Sequence, residues 1–136
     1  MIVVATDAPL SPRNLKRLAK RAIIGLGRTG SSMDNGSGDF VIAFSTAYRI
    51  QNDGKPLTEP TAFLANWVMS QMFQAVTEAT EEAVYNSLFT ASTVAGYDGH
   101  SVTAIPIDQV LDICRRYNVL NLRDRLPGVD PTLRFR

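Results

Sequence analysis

The sequence predicts an α/β fold, because a strand, a helix and a second strand follow one another in its first 46 residues. Two apolar runs, residues 1–5 (MIVVA) and 39–46 (DFVIAFST), have the composition of buried strands. Between them, apolar residues recur at helical spacing. We therefore expect both runs to be central strands of one sheet, with the intervening helix packed over it.

The intervening helix has a recognisable start and an apolar face. Ser11 followed by Pro12 supplies a capping hydroxyl and then the residue favoured at the first helical position. The predicted apolar face consists of Leu15, Leu18, Ala19, Ala22, Ile23 and Leu26. The basic residues of the same helix are interpreted as a solvated face, since a net charge of +1 gives no field that would attract nucleic acid or a membrane.

Three glycines near the end of this helix, Gly25, Gly27 and Gly30, match the dinucleotide-binding fingerprint G-x-G-x-x-G. In a nucleotide site this motif follows a strand and opens a helix, whose N-terminus attracts phosphate. A helix C-terminus presents carbonyl groups, which repel phosphate. We therefore interpret the glycines as a C-cap and a turn that require positive φ, and expect no nucleotide to bind.

The second half of the chain is predicted to be mostly helical. Residues 61–95 are expected to form two helices or one bent pair. A turn at 96–101, a short strand at 102–106 and a helix over Ile107–Tyr117 follow, and residues 118–136 are predicted to be an extended tail. The side chains expected to point inward from the helical region are Phe63, Trp67, Met72, Phe73, Val76, Val84, Leu88 and Phe89.

The composition argues against several kinds of site. One cysteine, Cys114, excludes an internal disulfide, and one histidine, His100, makes a zinc centre improbable. His100 lies in a predicted turn and Cys114 on the inner side of a predicted helix, so a triad is poorly supported. We expect no cofactor and no metal.

Ser37 and Asp39 are the candidate catalytic residues. If the second strand begins by Ser37, the alternation of side chains along a strand places Ser37 and Asp39 on the same face. A hydroxyl and a carboxylate side by side can orient a nucleophile. Serine and aspartate next to glycine are also common turn residues, so on the residues alone both interpretations stay open.

Three stretches of the chain resemble the C-terminal, or β, chain of the L-aminopeptidase/D-amidase-esterase family, which includes the β-peptidyl aminopeptidases. They are residues 2–31 (IVVATDAPLSPRNLKRLAKRAIIGLGRTGS), 35–47 (NGSGDFVIAFSTA) and 83–117 (AVYNSLFTASTVAGYDGHSVTAIPIDQVLDICRRY). The resemblance implies a four-layer α/β/β/α sandwich similar to the N-terminal-nucleophile hydrolases and shared with ornithine acetyltransferases. Residues 1–136 would be the β chain of one αβ domain.

The resemblance also implies a mechanism. Family members cut themselves and expose a serine at the start of the β chain, whose own α-amine can act as the base. The serine forms an acyl-enzyme with a short peptide, amide or ester, and water then hydrolyses it. The residues that match Ser37 and Asp39 orient this nucleophile. An α chain from the same precursor, and oligomers of the αβ unit, are the implied partners.

One departure from the family concerns the first residue. The chain starts with Met1. When residues 3–10 (VVATDAPL) are aligned with the family, the nucleophile falls about two residues before Met1. A trimmed β chain, an internal start and an inactive relative are all compatible with this. The alternatives to a serine hydrolase are an acyltransferase of the ornithine acetyltransferase type and a structural or interaction subunit without a nucleophile. We expect a cytoplasmic protein, with periplasmic or secreted locations still open, and the substrate-binding residues stay unknown.

Overall fold

The computed structural model describes residues 1–48 and 62–120, in two compact units: Met1–Ser87, and a second that begins at Leu88. Two 3-10 turns, Asn66–Val68 and Tyr97–Gly99, accompany the regular elements. In chain order, these elements are β1 (Ile2–Thr6), α1 (Pro12–Arg28), β2 (Val41–Ser45), α2 (Met69–Phe89), β3 (Val94–Ala95), β4 (Ser101–Val102) and α3 (Ile107–Arg116).

The two apolar runs form one sheet, as predicted. β1 and β2 pair in parallel, with Ile2 opposite Val41 and Thr6 opposite Ser45. The ladder of hydrogen bonds extends one residue beyond each end of β2. The Ile2 N–H donates to the Phe40 carbonyl at 2.8 Å, and the Thr46 N–H donates to the Thr6 carbonyl at 2.8 Å. The chain therefore crosses from β1 through α1 to a parallel neighbour, as a βαβ unit does.

One face of this sheet is covered and the other is not. Ile2 and Val4 pack against a core made by Leu10, Leu18, Ala22, Met69 and Val76. On the opposite face, Val3, Ile42 and Phe44 are 61%, 54% and 44% exposed. The expectation of cover on both faces is therefore wrong for the described residues, in which each strand has one neighbour. The apolar alternation calls for a second layer that these residues do not supply.

The predicted start of α1 is confirmed. The Ser11 side chain accepts a hydrogen bond from the Asn14 N–H at 3.3 Å, and Pro12 occupies the first helical position. The helix ends at Arg28, and the Thr29 hydroxyl caps it by donating to the Leu26 carbonyl at 2.7 Å.

The glycines play different parts from those predicted. Gly25 and Gly27 lie inside α1, and Gly30, with φ of 95°, provides the turn that the sequence assigned to all three. Gly25 is buried where α1 and α2 cross, because a Cβ at this position would lie 2.4 Å from the Thr77 carbonyl oxygen. The motif failed as a predictor of turns because it cannot show which helix packs across it.

This placement predicts that the Gly25–Gly30 segment binds no nucleotide. The amides of Gly25 and Gly27 lie within a continuous helix, so they do not form the open N-terminus that binds pyrophosphate. Titration of NAD, FAD or ATP by calorimetry is expected to give no saturable heat. Specific binding that Gly30→Ala abolishes would contradict this.

The helical region from 61 onward is simpler than predicted. Residues 49–61 lie outside the described part of the chain, and α2 is one helix of 21 residues where two helices or a bent pair were expected. Several side chains expected to point inward are exposed: Phe63 by 50%, Trp67 by 81%, Leu88 by 45% and Phe89 by 50%.

Val76 is buried as predicted, whereas Met69, Thr77 and Thr80 are buried without having been predicted. The two threonines can be buried because their hydroxyls donate to the carbonyls of Phe73 and Val76, each at 2.8 Å. A search for large apolar side chains passes over this face, since small hydroxyl residues allow the closest approach to α1.

The second unit contains a hairpin and a helix. β3 and β4 pair in antiparallel, and the Gly96 N–H donates to the His100 carbonyl at 2.7 Å across the turn. α3 ends in a Schellman cap, in which Asn118, with φ of 56°, donates to the Arg115 carbonyl and Val119 donates to the Cys114 carbonyl.

Residues 118 and 119, the start of the predicted extended tail, therefore belong to this helix cap. Residues 121–136 lie outside the described range. Within residues 1–48 and 62–120, no helix is both long and apolar enough to cross a membrane.

Candidate functional site

The loop that joins α1 to β2 carries the two predicted site residues. Ser37 follows a tight turn, in which its N–H donates to the Asp34 carbonyl at 2.7 Å. Asp39 precedes Phe40, whose carbonyl accepts the first hydrogen bond of the sheet from Ile2. The loop is thus fixed at its end to the beginning of β1.

Ser37 and Asp39 are brought together, but not by strand alternation. β2 begins at Val41, so both residues lie in the preceding loop and both are exposed. The Ser37 hydroxyl donates to Asp39 Oδ2 at 2.7 Å. A hydroxyl–carboxylate bond of this length is charge-assisted and strong for its type. Because the hydroxyl proton is held by the carboxylate, the lone pairs of Ser37 Oγ can accept a hydrogen bond from a third group.

The pair lies at the end of the sheet where β1 starts. The parallel register places Ile2 opposite Val41, so Met1 lies opposite Phe40 and Asp39 is the next residue upstream on its own strand. Both parallel strands therefore begin at the end of the sheet that carries the pair.

The other two residues considered from the sequence, His100 and Cys114, belong to the second unit. His100 is exposed in the β3–β4 turn of the second unit, and Cys114 is a free, half-buried thiol on α3, not the core residue that was expected. Among residues 1–48 and 62–120, no three histidine, cysteine or acidic side chains are grouped as metal ligands would be.

A second serine–aspartate pair in the same loop was missed. The Ser32 hydroxyl donates to Asp34 Oδ1 at 2.5 Å, with the same two-residue spacing as Ser37 and Asp39. The repeated pattern Ser-x-Asp in residues 32–39 is the signal that identifies it. Two such pairs in a short loop indicate that local side-chain bonds hold its shape.

Comparison with known proteins identifies the family. The profile of peptidase family S58 matches residues 1–102. The chain belongs to peptidase family S58. This S58 chain is 41% identical over 121 residues to the β-peptidyl aminopeptidase BapA of Sphingosinicella microcystinivorans. The match covers 88% of this chain and 30% of that relative. It is 42% identical over 116 residues to BapA of Sphingosinicella xenopeptidilytica, with 85% and 29% covered. The chain therefore spans about a third of the length of the curated relatives it matches.

Solved structures also match this S58 chain. The PH0078 protein of Pyrococcus horikoshii OT3 matches with a TM-score of 0.79 and 50% identity, over 88% of this chain and 34% of that one. The L-aminopeptidase D-Ala-esterase/amidase of Ochrobactrum anthropi, described as a variant of the Ntn hydrolase fold, matches with a TM-score of 0.79 and 36% identity over the same shares. The predicted α/β fold class of the N-terminal-nucleophile type is confirmed.

Proposed function

We propose that this S58 chain is the β part of a self-processed serine aminopeptidase or amidase that releases N-terminal residues from short peptides, amides or esters through an acyl-enzyme. The observation that carries the proposal is the hydrogen-bonded Ser37–Asp39 pair at the starting end of β1. The relatives are β-peptidyl aminopeptidases and an L-aminopeptidase D-Ala-esterase/amidase, which supports this substrate class.

The sheet register supports the position of the nucleophile. If the parallel pairing continues upstream of Ile2 and Val41, the residue before Met1 lies opposite Asp39 and the one before that lies opposite Gly38. A serine two residues before Met1 would then be flanked by Ser37 and Asp39. This is the position that the alignment with the family assigns to the nucleophile.

The chemistry of the pair suits an N-terminal nucleophile. The α-amine of such a residue accepts the hydroxyl proton as the hydroxyl attacks the substrate carbonyl, and it becomes an ammonium group. Ser37 Oγ can accept a hydrogen bond from either group and hold them in one relation. Asp39 Oδ1, which has no partner within the described residues, can stabilise the ammonium group. The second proton transfer, to the leaving amine, returns the α-amine to its neutral form.

A partner chain is part of the proposal. The uncovered face of the β1–β2 sheet is apolar. A separate groove of about 400 Å³ runs between β1 and α2, and Val76, Ala79 and Ala83 line it from the α2 side. Exposed apolar area of this kind marks surfaces that another layer covers. We assign this cover to an α chain of the same precursor, and expect αβ units to associate further.

Identification of the residue that starts the processed chain tests the function. The purified full-length protein is analysed by intact mass and N-terminal sequencing, and its hydrolysis of aminoacyl p-nitroanilides is measured. A serine at the new N-terminus together with amide hydrolysis is the expected result. A threonine with acyl transfer, or no cleavage and no turnover, would contradict the proposal.

Residues 1–136 expressed alone are expected to aggregate or to remain a molten state, because one apolar face of the sheet has no cover. Size-exclusion chromatography and thermal melting followed by near-ultraviolet circular dichroism measure this. Co-expression with the remainder of the precursor is the control, and is expected to give a soluble complex. A monomer with a sharp melting transition would contradict the need for a partner.

A further inference from the structure

The loop that carries the Ser37–Asp39 pair is fixed to α1 by one side chain. Within residues 32–40, all of which the structure describes, Met33 alone is half-buried and the others are exposed. Its Cε lies 3.4 Å from the point that a Cβ on Gly27 would occupy. Met33 therefore lies over Gly27, in the last turns of α1.

The backbone of Met33 is also unusual. Its φ of 54° is in the left-handed region, which side chains other than those of glycine, asparagine and aspartate seldom adopt. The Met33 N–H donates to Ser31 Oγ at 3.3 Å. A non-glycine residue persists in this conformation when surrounding contacts over-determine it, and such residues cluster at functional sites. At Met33 the half-buried side chain, which lies over Gly27, is a constraint of this kind.

A short series of bonds connects Met33 to the pair. Asp34, the next residue, accepts the Ser32 hydroxyl with its side chain and the Ser37 N–H with its carbonyl. The Ser37 hydroxyl then donates to Asp39. The direction in which the chain leaves Met33 therefore sets the position of the Asp34 carbonyl, and through it that of Ser37.

We propose that Met33, seated over Gly27, is a positioning residue for the Ser37–Asp39 pair; this rests on the function proposed above. The side chain fixes the loop to α1, and the left-handed backbone turns the loop toward the start of β1. Gly27 is the residue of α1 over which the Met33 side chain lies, so this glycine of the G-x-G-x-x-G motif has a role in packing.

The processed αβ enzyme carrying Met33→Gly tests the proposal. Glycine adopts the left-handed conformation without strain, so the substitution removes the anchor and adds no backbone strain of its own. The kcat for an aminoacyl p-nitroanilide is expected to fall about 10-fold, since a misplacement of about 1 Å can cost about 100-fold and a smaller displacement costs less. KM is expected to change less than about twofold, and the melting temperature less than about 2 °C. Met33→Leu, which restores an apolar side chain of similar volume, is expected to recover most of kcat.

A double-variant cycle shows whether Met33 acts through Ser37. In a Ser37→Ala background, Met33→Gly is expected to cause no further loss of kcat. Equal losses in both backgrounds, an unchanged kcat in the single variant, or a loss of kcat explained by a lower melting temperature would overturn the inference. If Met33→Gly is silent while Ser37→Ala lowers kcat, the proposed function stands without this inference. If neither Ser37→Ala nor Asp39→Asn lowers kcat, the assignment of the pair itself fails.

Discussion

Replacement of Asp39 by asparagine in the processed enzyme is expected to lower kcat about 100-fold or more, the scale of one lost acid–base contribution. Asparagine has nearly the same shape, but it lacks the negative charge that strengthens the hydrogen bond from the Ser37 hydroxyl, whose Oγ lies 2.7 Å from Asp39 Oδ2. It also lacks the charge that would neutralise the ammonium group in the proposed mechanism. Asp39 is exposed and lies outside the core, so the fold is expected to stay intact.

The measurement separates processing from turnover. The cleaved fraction of each variant is determined by mass spectrometry, and kcat is expressed per cleaved active site. Asp112→Asn is a matched control, since it removes an exposed carboxylate whose partner is Arg115 on the same helix. It is expected to change kcat by less than about twofold, because this ion pair has no part in the proposed mechanism and exposed ion pairs contribute little to stability.

Ser37→Ala is expected to lower kcat to a similar or smaller degree than Asp39→Asn. Alanine leaves the carboxylate in place but removes the oxygen that can accept from the nucleophile. The same steady-state assay applies, with circular dichroism to verify folding. If both Ser37→Ala and Asp39→Asn turn over substrate at the wild-type rate, the pair is a turn and has no part in catalysis.

The parts of the fold that the sequence predicted are those with local signals. The start of α1 depends on a hydroxyl and a proline next to each other, Ser11 and Pro12, and both act as expected. The parallel pair β1–β2 follows from two apolar runs joined by a helix. The juxtaposition of Ser37 and Asp39 was also predicted, although for the wrong geometric reason, since a two-residue spacing brings side chains together in a loop as well as along a strand.

The parts that the sequence did not predict depend on packing partners. Trp67 was expected to be buried because it is large and apolar, and it is 81% exposed, since the adjacent surface of the described residues offers nothing that covers it. Thr77 and Thr80 were not expected in the core, and they are buried because α1 presents a glycine to them. Which helix crosses which, and which face of the sheet these residues leave exposed, are long-range facts that no local pattern encodes.

Gly25→Ala is expected to lower the free energy of unfolding of the assembled enzyme by up to about 2 kcal/mol, because overpacking a core costs about 1–3 kcal/mol and the gain in helix propensity returns about 1 kcal/mol. The new Cβ would lie 2.4 Å from the Thr77 carbonyl oxygen and 2.8 Å from Thr80 Cβ. The first of these atoms is backbone, so α2 itself must move away from α1. Alanine is the better helix former by about 1 kcal/mol, which offsets part of this cost but leaves the sign unchanged.

Gly27→Ala, two residues away in the same helix, is the matched control for Gly25→Ala. Its Cβ would lie 3.4 Å from Met33 Cε, the far end of a side chain that can adjust by rotation, so the helix-propensity gain of about 0.5–1 kcal/mol is expected to dominate and stability to stay the same or rise. Urea denaturation of both variants, with equal slopes against denaturant concentration, measures the difference. If Gly25→Ala proves as stable as Gly27→Ala, α1 and α2 do not cross as closely at Thr77 as the structure shows, and the burial of the two threonines needs another cause.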